Sequence, residues 1–212
     1  MSWTLSPADV FSASPVVPVM VVEDAADAVP LAKALAAGGI TVFEVTLRSA
    51  AALDAISAIA RELPEALVGA GTVLNVAQYD AAVAAGAKFV ITPGFTPALL
   101  KHAKAGPVPL MPGIATPSEA MQALELGYTH LKFFPAEING GAKALKALAG
   151  PLPQLRFCPT GGVSAANARD YLAVKSVMTV GGSWMLPAER VAAKDWDGIT
   201  RLAADAVAAV KG

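Results

Sequence analysis

The feature that most constrains the fold is a regular alternation of two kinds of segment along the chain. Short runs rich in β-branched residues, typical of buried strands, alternate with Ala- and Leu-rich stretches that have the spacing of amphipathic helices. We predict eight strands, at 15–22, 40–47, 66–73, 88–93, 108–113, 129–135, 156–162 and 176–182. Strands that alternate with helices pair in parallel and are covered on both faces.

Eight strand–helix units in a chain of 212 residues predict an α/β protein, a (β/α)8 TIM barrel. A short N-terminal helix is predicted near 7–11, and residues 1–212 are expected to form one barrel domain. The alternative is an open doubly wound sheet, which usually carries a glycine-rich nucleotide-binding turn after its first strand. The segment 15–29 has no such turn, and this favours the barrel.

The charge balance argues against several classes of partner. A formal net charge of −1 gives no electrostatic basis for binding nucleic acid or an anionic membrane surface. Each apolar run is interrupted by proline, glycine or a charge before it is long enough to span a bilayer. Residues 1–11 lack the basic-then-apolar order of a secretory signal, and the single cysteine, Cys158, excludes an internal disulfide framework. We therefore expect a cytoplasmic protein with no nucleic-acid or membrane partner.

One predicted strand contains a charge. Lys132 lies between Leu131 and Phe133, where burial of an ammonium group is costly. A lone strand lysine usually lies at a sheet edge or extends to solvent, but a barrel has no free edge. A buried ion pair is a second interpretation, although such pairs are weak stabilisers. The third is chemical, because removal from water favours a neutral amine that can attack a carbonyl group.

A carboxylate is predicted on the opposite side of the same barrel. Active sites of barrels lie at the carboxyl ends of the strands. Glu44 and Lys132 each lie a few residues before the end of a strand, on strands two and six, which face each other across the ring. Alternate side chains share a face, so Glu44 groups with Thr46 and Lys132 groups with Phe134. We expect the two charges to approach each other or to meet a ligand between them.

Two pairs of glycines predict an anion site. Gly161–Gly162 follows the seventh strand and Gly181–Gly182 follows the eighth, at the two loops where many barrels bind phosphate through backbone N–H groups and a helix N-terminus. Ser164 is expected to cap the helix after the first pair, and Ser183 to add a hydroxyl. Ordinary turn glycines would explain either pair alone, whereas both pairs at these loops favour a phosphate site.

Other residues near strand ends are further candidates. Arg48 ends the second strand. Its guanidinium group either binds a carboxylate or phosphate through two hydrogen bonds or is a solvated charge in a loop. Thr72 has a hydroxyl that can donate to a carboxylate, although threonine is ordinary in strands. Pro112 and Phe134 are expected to shape the pocket wall.

The sequence predicts neither a metal site nor a nucleotide cofactor. His102 and His130 have no companion ligands, and we expect both to be structural. Cys158 has no evident catalytic partner and is expected in the core. No segment resembles a metal cluster, a P-loop or a dinucleotide-binding fingerprint.

Seven motifs, in order and spacing, resemble a known enzyme family. They are EVTLR (44–48), VGAGTVLN (68–75), ITPGFTP (91–97), LMPGIATPSE (110–119), KFFPAE (132–137), FCPTGG (157–162) and VGGSW (180–184). From about residue 15 to 187 the chain resembles the 2-keto-3-deoxy-6-phosphogluconate (KDPG) aldolases, which are bacterial class I aldolases. The resemblance implies a (β/α)8 fold, a homotrimer, no metal, no cofactor beyond a covalent imine, and frequent activity on 4-hydroxy-2-oxoglutarate as well.

The resemblance also implies a role for each matching residue. Lys132 of KFFPAE would form the Schiff base with pyruvate, and Glu44 of EVTLR would be the acid and base. The substrate-binding residues that it implies are Arg48 and Thr72 for the carboxylate end of pyruvate, Pro93, Pro112 and Phe134 for the pocket wall, Thr160 at a strand end, and Gly161, Gly162, Gly182 and Ser183 for the phosphate. The implied reaction is cleavage of KDPG to pyruvate and glyceraldehyde 3-phosphate in the Entner–Doudoroff pathway.

The chain departs from this family at one place. The first strand is followed by Glu23-Asp24, where family members often carry basic residues. If those residues attract the sugar phosphate, we expect a lower phosphate affinity in this chain.

Other functions remain open from the sequence. The preferred substrate could be the galactonate epimer or unphosphorylated 4-hydroxy-2-oxoglutarate. A barrel could also be an isomerase or a non-catalytic sugar-phosphate binder, because a fold does not determine function. Such a protein would need no buried amine opposite a carboxylate and would not trap pyruvate. His130, close to Lys132, has no assigned role.

Overall fold

The structure is a computed structural model that describes residues 3–211. Met1, Ser2 and Gly212, which belong to the predicted domain 1–212, lie outside the described residues. The strands are β1 (Val16–Met20), β2 (Val42–Thr46), β3 (Leu67–Gly71), β4 (Val90–Ile91), β5 (Leu110–Met111), β6 (Gly113–Ile114), β7 (His130–Phe133), β8 (Arg156–Pro159) and β9 (Val180–Gly182). The helices are α1 (Pro7–Ser12), α2 (Ala28–Ala37), α3 (Ala52–Glu62), α4 (Val76–Ala84), α5 (Pro97–Ala105), α6 (Pro117–Glu125), α7 (Gly141–Ala149), α8 (Ala168–Leu172), α9 (Ala188–Ala192) and α10 (Trp196–Lys211).

The strands form parallel ladders between helices, as the alternation predicts. Six strands form a curled sheet in the order β5-β4-β3-β2-β1-β9, and three form a second sheet in the order β6-β7-β8. Bridges between Thr160 and Gly181 and between Phe157 and Val177 connect the second sheet to the β9 side of the first. The predicted α/β class with a parallel sheet is therefore confirmed. None of the described helices is long and apolar enough to cross a membrane.

The predicted fifth strand is divided in two at Pro112. Met111 pairs with Ile91 of β4, whereas Gly113 pairs with Lys132 of β7. Proline has no N–H group and cannot donate to a ladder. Its carbonyl still accepts a hydrogen bond from the backbone N–H of Lys132 at 2.9 Å. The prediction of one continuous strand over 108–113 was wrong at this residue, and the division lets one segment pair with both sheets.

Two of the helices begin at threonine caps that are each followed by proline. Thr96 and Thr116 accept hydrogen bonds from the backbone of the first turns of α5 and α6, and each is followed by proline. At α6, Glu119 completes a capping box by accepting from the backbone N–H of Thr116 at 2.8 Å.

The prediction that Ser164 caps the helix after the first glycine pair was wrong. Asn167 is the N-cap of α8, and its Oδ1 accepts a hydrogen bond from the backbone N–H of Ser164 at 2.8 Å. The asparagine amide forms this local turn and delays the helix until Ala168. The five-residue α9 was not predicted, and neither α8 nor α9 begins directly at a glycine pair.

Helix α10 packs closely against the end of α2. Thr200 donates its hydroxyl hydrogen to the carbonyl oxygen of Ala34 at 3.0 Å. A Cβ placed on Gly38 would lie 2.5 Å from Cβ of Ala203 and 2.7 Å from the carbonyl oxygen of Thr200. The approach of the two helices therefore requires the absence of a side chain at residue 38.

Replacement of Gly38 by Ala should lower the free energy of unfolding by about 1–3 kcal/mol, because the new methyl group overlaps the backbone of α10. Chemical denaturation measures the change. Gly150→Ala is the matched control, since its Cβ would lie 3.7 Å from the nearest atom, the carbonyl oxygen of Ala147. Equal effects of the two substitutions would contradict the packing argument.

Candidate active site

The two charges that the sequence placed at similar depth meet inside the fold. Nζ of Lys132 lies 3.1 Å from Oε1 of Glu44. The exposed fractions of the two side chains are 6% and 1%, so the pair is removed from water. Glu44 lies on β2 and Lys132 on β7, and the contact therefore joins the two sheets.

The absence of a side chain at Gly71 leaves space for the carboxylate of Glu44. Gly71, the last residue of β3, pairs with Thr46 of β2. A Cβ placed on Gly71 would lie 2.3 Å from Oε1 and 2.6 Å from Cγ of Glu44. The carboxylate therefore occupies the volume that a side chain at residue 71 would fill. The sequence placed Gly71 at a strand end, but this long-range contact has no local signal.

An aromatic ring connects the amine with the first glycine pair. Nζ of Lys132 lies 5.2 Å from the ring centroid of Phe134, within range of a cation–π contact. Phe134 also approaches Gly161 so closely that a Cβ there would lie 3.3 Å from Cδ2 of the ring. Phe134 is therefore near both the buried amine and the loop after β8, where the sequence predicts the pocket wall.

Cys158 lies beside the pair but remains a thiol. It is the partner of Lys132 in the β7–β8 register and is almost completely buried. Burial, reinforced by the negative charge of Glu44, raises the pKa of the Cys158 thiol to about 12. A protonated thiol is a poor nucleophile. This environment agrees with the prediction that Cys158 belongs to the core.

The two prolines of the predicted pocket wall lie at the ends of neighbouring strands. Pro112 is buried and accepts the hydrogen bond from the Lys132 backbone, while Pro93 is half-buried after β4. A Cβ placed on Gly113 would lie 2.4 Å from the carbonyl carbon of Pro93. The buried hydroxyl of Thr92 accepts from the backbone N–H of Gly113 at 3.2 Å. Thr92 and Gly113 were not predicted as site residues.

Arg48 and Ser183 line one cavity of about 420 Å³, whose wall is otherwise largely apolar. Arg48 follows β2 and is exposed, and its Nε donates to Oγ1 of Thr46 at 3.2 Å. Glu23 and Asp24 line the same cavity. The structure thus places two predicted substrate-binding residues beside the two acids that depart from the family pattern.

Thr72 lies beyond the end of its predicted strand. β3 ends at Gly71, and the backbone of Thr72 is left-handed, with φ of 58°. This conformation is rare for a β-branched residue and costs on the order of 1–3 kcal/mol, and residues that adopt it are enriched at functional sites. The prediction that Thr72 belongs to a strand was wrong, but its conformation supports a special role.

The two glycine pairs leave the sheets side by side. Thr160 and Gly181 form a parallel bridge, so Gly161 and Gly182 continue from neighbouring positions. A Cβ placed on Gly181 would lie 2.2 Å from Oγ1 of Thr160. Gly161 and Gly162 have left-handed backbones, with φ of 96° and 79°. The structure therefore brings together the predicted phosphate-binding loops.

The two histidines have partners other than the Lys132–Glu44 pair. Across residues 3–211, no three His, Cys, Asp or Glu side chains are grouped to hold a metal ion. Nε2 of His102 lies 2.7 Å from Oδ1 of Asp80 at the surface. His130 begins β7 and packs edge-on against Phe11, and burial, followed by the charge of Arg156, lowers the pKa of His130.

Comparison with known proteins identifies the family. A family model described as KDPG and KHG aldolase matches residues 8–202. The chain belongs to this family. It is 57% identical over 210 residues to the KHG/KDPG aldolase of Escherichia coli strain K12, and the match covers 99% of each chain. The resemblance inferred from the sequence motifs is thereby confirmed.

Solved structures of the KDPG/KHG aldolase family are similar throughout. One is KDPG aldolase from Legionella pneumophila with pyruvate captured as a covalent carbinolamine intermediate, with a TM-score of 0.95, 47% identity and coverage of 97% of this chain and 100% of that chain. Another is the KDPG aldolase of Zymomonas mobilis ZM4 with 3-phosphoglycerate, with a TM-score of 0.88, 49% identity and coverage of 95% of each chain.

Gly71→Ala should reduce the kcat of aldol cleavage by about 100-fold or more, because the added methyl group displaces the Glu44 carboxylate and small misplacements of a reacting group have effects of this size. Release of pyruvate measures the rate, and circular dichroism verifies that the variant is folded. Gly94→Ala, with no atom within 4 Å of its Cβ, is the control. Full activity of folded Gly71→Ala would exclude this placement of the carboxylate.

Proposed function

We propose that this chain is a class I aldolase that cleaves KDPG to pyruvate and glyceraldehyde 3-phosphate in the Entner–Doudoroff pathway. The observation that carries the proposal is the buried contact of 3.1 Å between the amine of Lys132 and the carboxylate of Glu44. A second activity, cleavage of 4-hydroxy-2-oxoglutarate (KHG), is supported by the double name of the family and of its E. coli member.

Imine formation is the first step of the proposed mechanism. The neutral amine of Lys132 adds to the C2 carbonyl of the substrate, and a C–N bond forms in a carbinolamine. Glu44 first takes one proton from the Lys132 ammonium, which frees the amine to add, and gives this proton to the C2 oxygen. It then takes a second proton from the nitrogen and gives it to the C2 hydroxyl, which leaves as water when the protonated imine forms. The contact between Nζ and Oε1 supports this direct transfer. The covalent carbinolamine of the Legionella protein supports the intermediate.

Cleavage of the carbon–carbon bond follows. The carboxylate of Glu44 removes the proton of the C4 hydroxyl, the C3–C4 bond breaks, and glyceraldehyde 3-phosphate leaves. The electron pair of that bond moves toward the protonated imine and gives an enamine. The enamine takes at C3 the proton that Glu44 removed from the C4 hydroxyl, and water then hydrolyses the imine to release pyruvate and restore the Lys132 amine. The reaction requires no metal and no cofactor beyond this imine.

The pyruvoyl part of the substrate is proposed to lie between the amine and the second-strand turn. Arg48 and Thr72 hold its carboxylate, and Pro93, Pro112 and Phe134 form the wall around it. The hydrogen bond from Lys132 to the Pro112 carbonyl and the position of the Phe134 ring beside Nζ support this wall. The left-handed backbone of Thr72 supports its assignment to the site.

The phosphate of the substrate is proposed to bind at the two glycine loops. Gly161, Gly162 and Gly182 present backbone N–H groups, Ser183 adds a hydroxyl, and Thr160 holds the loops together at the strand ends. The bridge between Thr160 and its neighbour in β9 supports this arrangement. The Zymomonas relative was solved with 3-phosphoglycerate, a phosphorylated three-carbon acid, which supports a phosphate-binding function in the family.

We further propose that the two sheets form one closed (β/α)8 barrel within a single domain, residues 1–212. The bridge between Thr160 and Gly181 supports closure at one junction. Pro112, which joins β5 to β6 directly, supports closure at the other. The resemblance to the family supports a homotrimer and a cytoplasmic location, which light scattering and cell fractionation test.

Treatment with borohydride in the presence of pyruvate should attach one reduced pyruvate irreversibly to Lys132, because reduction of the imine fixes it as a secondary amine. Peptide mass spectrometry maps the adduct, and Lys132→Met should abolish it. Lys88→Met is the control, because Nζ of Lys88 donates to backbone carbonyls, including that of Ala66 at 2.8 Å. An adduct at another residue, or none, would exclude the Schiff-base assignment.

Glu23→Lys should increase kcat/KM for the phosphorylated substrate by roughly 3- to 10-fold at low ionic strength, because an exposed negative charge beside Arg48 and Ser183 becomes positive. The increase should shrink with added salt. Trapping of pyruvate, which has a carboxylate but no phosphate, should increase by less. Glu65→Lys, at an exposed position before β3, is the matched control for net charge. An equal gain from Glu65→Lys would show that the effect is not local.

A further inference from the structure

Thr46 lies two residues after Glu44, on the same face of β2. Two residues along a strand correspond to about 6.6 Å, which places Thr46 between the buried pair and the turn that carries Arg48. Its exposed fraction is 2%. A hydroxyl this deeply buried needs partners for both its hydrogen and its lone pairs.

The hydroxyl of Thr46 has two partners of different kinds. Oγ1 donates its single hydrogen to the carbonyl oxygen of Met20, the last residue of β1, at 2.8 Å. Its lone pair then accepts from Nε of Arg48 at 3.2 Å. The direction of both hydrogen bonds is fixed, because a carbonyl cannot donate and a guanidinium cannot accept. The hydroxyl therefore connects the end of β1 with the guanidinium group.

The turn around Arg48 is also held by its backbone and its neighbours. The backbone N–H of Arg48 donates to the carbonyl oxygen of Thr46, and that of Leu47 donates to Gly71, both at 2.8 Å. Ser49 donates its hydroxyl hydrogen to the carbonyl oxygen of Val22. The main chain at Arg48 is thus fixed, and Thr46 supplies the contact that orients the exposed side chain.

This orientation determines which hydrogens of Arg48 are available. Nε is occupied by Thr46, so the terminal Nη1 and Nη2 groups are the pair that can hold a carboxylate or phosphate end-on. Arg48 also lines the cavity that contains Ser183. An arginine side chain oriented before binding loses less conformational freedom when it captures an anion.

We propose that Thr46 is a positioning residue that fixes the guanidinium group of Arg48 for the anionic group of the substrate. The inference rests on the proposed function, in which Arg48 binds that group. The competing explanation is structural, with Thr46 serving only to satisfy the Met20 carbonyl. Thr179 provides a matched comparison, because it is fully buried and donates its hydroxyl hydrogen to the carbonyl oxygen of Ser14 at 2.8 Å, away from Arg48.

Thr46→Val removes the hydroxyl and keeps the shape of the side chain. We expect KM for the keto-acid substrate to rise about 10-fold, the usual scale for one lost hydrogen bond to a charged group, with kcat within about 2-fold of the wild type. Thr46→Ser should recover most of the loss. Thr179→Val loses an equivalent buried hydroxyl and should lower the melting temperature about as much as Thr46→Val does. It should nevertheless leave KM unchanged.

A double-mutant cycle decides between positioning and a structural role. If Thr46 acts through Arg48, adding Thr46→Val to Arg48→Ala should cause no further rise in KM. Additive effects, a loss that Thr46→Ser does not recover, or an equal rise in KM from Thr179→Val would overturn the inference while leaving the aldolase intact. An unchanged KM for Arg48→Ala would overturn it as well. Failure of the proposed function is distinguishable, since the wild type would then neither cleave the keto acid nor form an adduct with pyruvate.

Discussion

The burial of one ion pair sets requirements that its surroundings meet. Removal of an ammonium and a carboxylate from water costs several kcal/mol for each ion, which close contact and additional polar partners must offset. Lys132 and Glu44 are in direct contact, and Gly71 leaves the space in which the carboxylate lies. The Pro112 carbonyl fixes the backbone of Lys132, and Phe134 places its ring beside the amine. These features follow from the need to hold two opposite charges inside an apolar core.

Much of the fold was predictable because its signals are local. Alternating strand and helix patterns depend on neighbouring residues, so the parallel α/β class and the positions of most elements could be inferred. The same periodicity alone predicts that Glu44 and Lys132 lie at similar depth in the barrel. The predictions that were wrong concern residues for which more than one hydrogen-bonding or strand-pairing partner is available. Asn167 forms the turn that was assigned to Ser164, and Pro112 divides a strand that pairs with both sheets.

The candidate site was predictable residue by residue, but its internal contacts were not. Motif resemblance selects Arg48 and Thr72, yet it says nothing of the hydrogen bond from Arg48 to Thr46 or of the left-handed backbone at Thr72. The contact between Gly71 and Glu44 joins two strands, and the sequence around either residue gives no indication of it. Contacts of this kind depend on how strands stack against each other, and a single sequence contains no direct record of that arrangement.

The protonated state of Cys158 has a consequence for chemical selectivity. The proposed reaction releases an aldehyde and a keto acid, and a thiolate can add to the carbonyl carbon of either product. Cys158 neighbours Lys132 on the adjacent strand, but its thiol has a pKa of about 12 and is negligibly ionised at neutral pH. Of these two neighbouring groups, the amine is therefore the competent nucleophile, and the sulfur beside it does not divert the carbonyl compounds into side products.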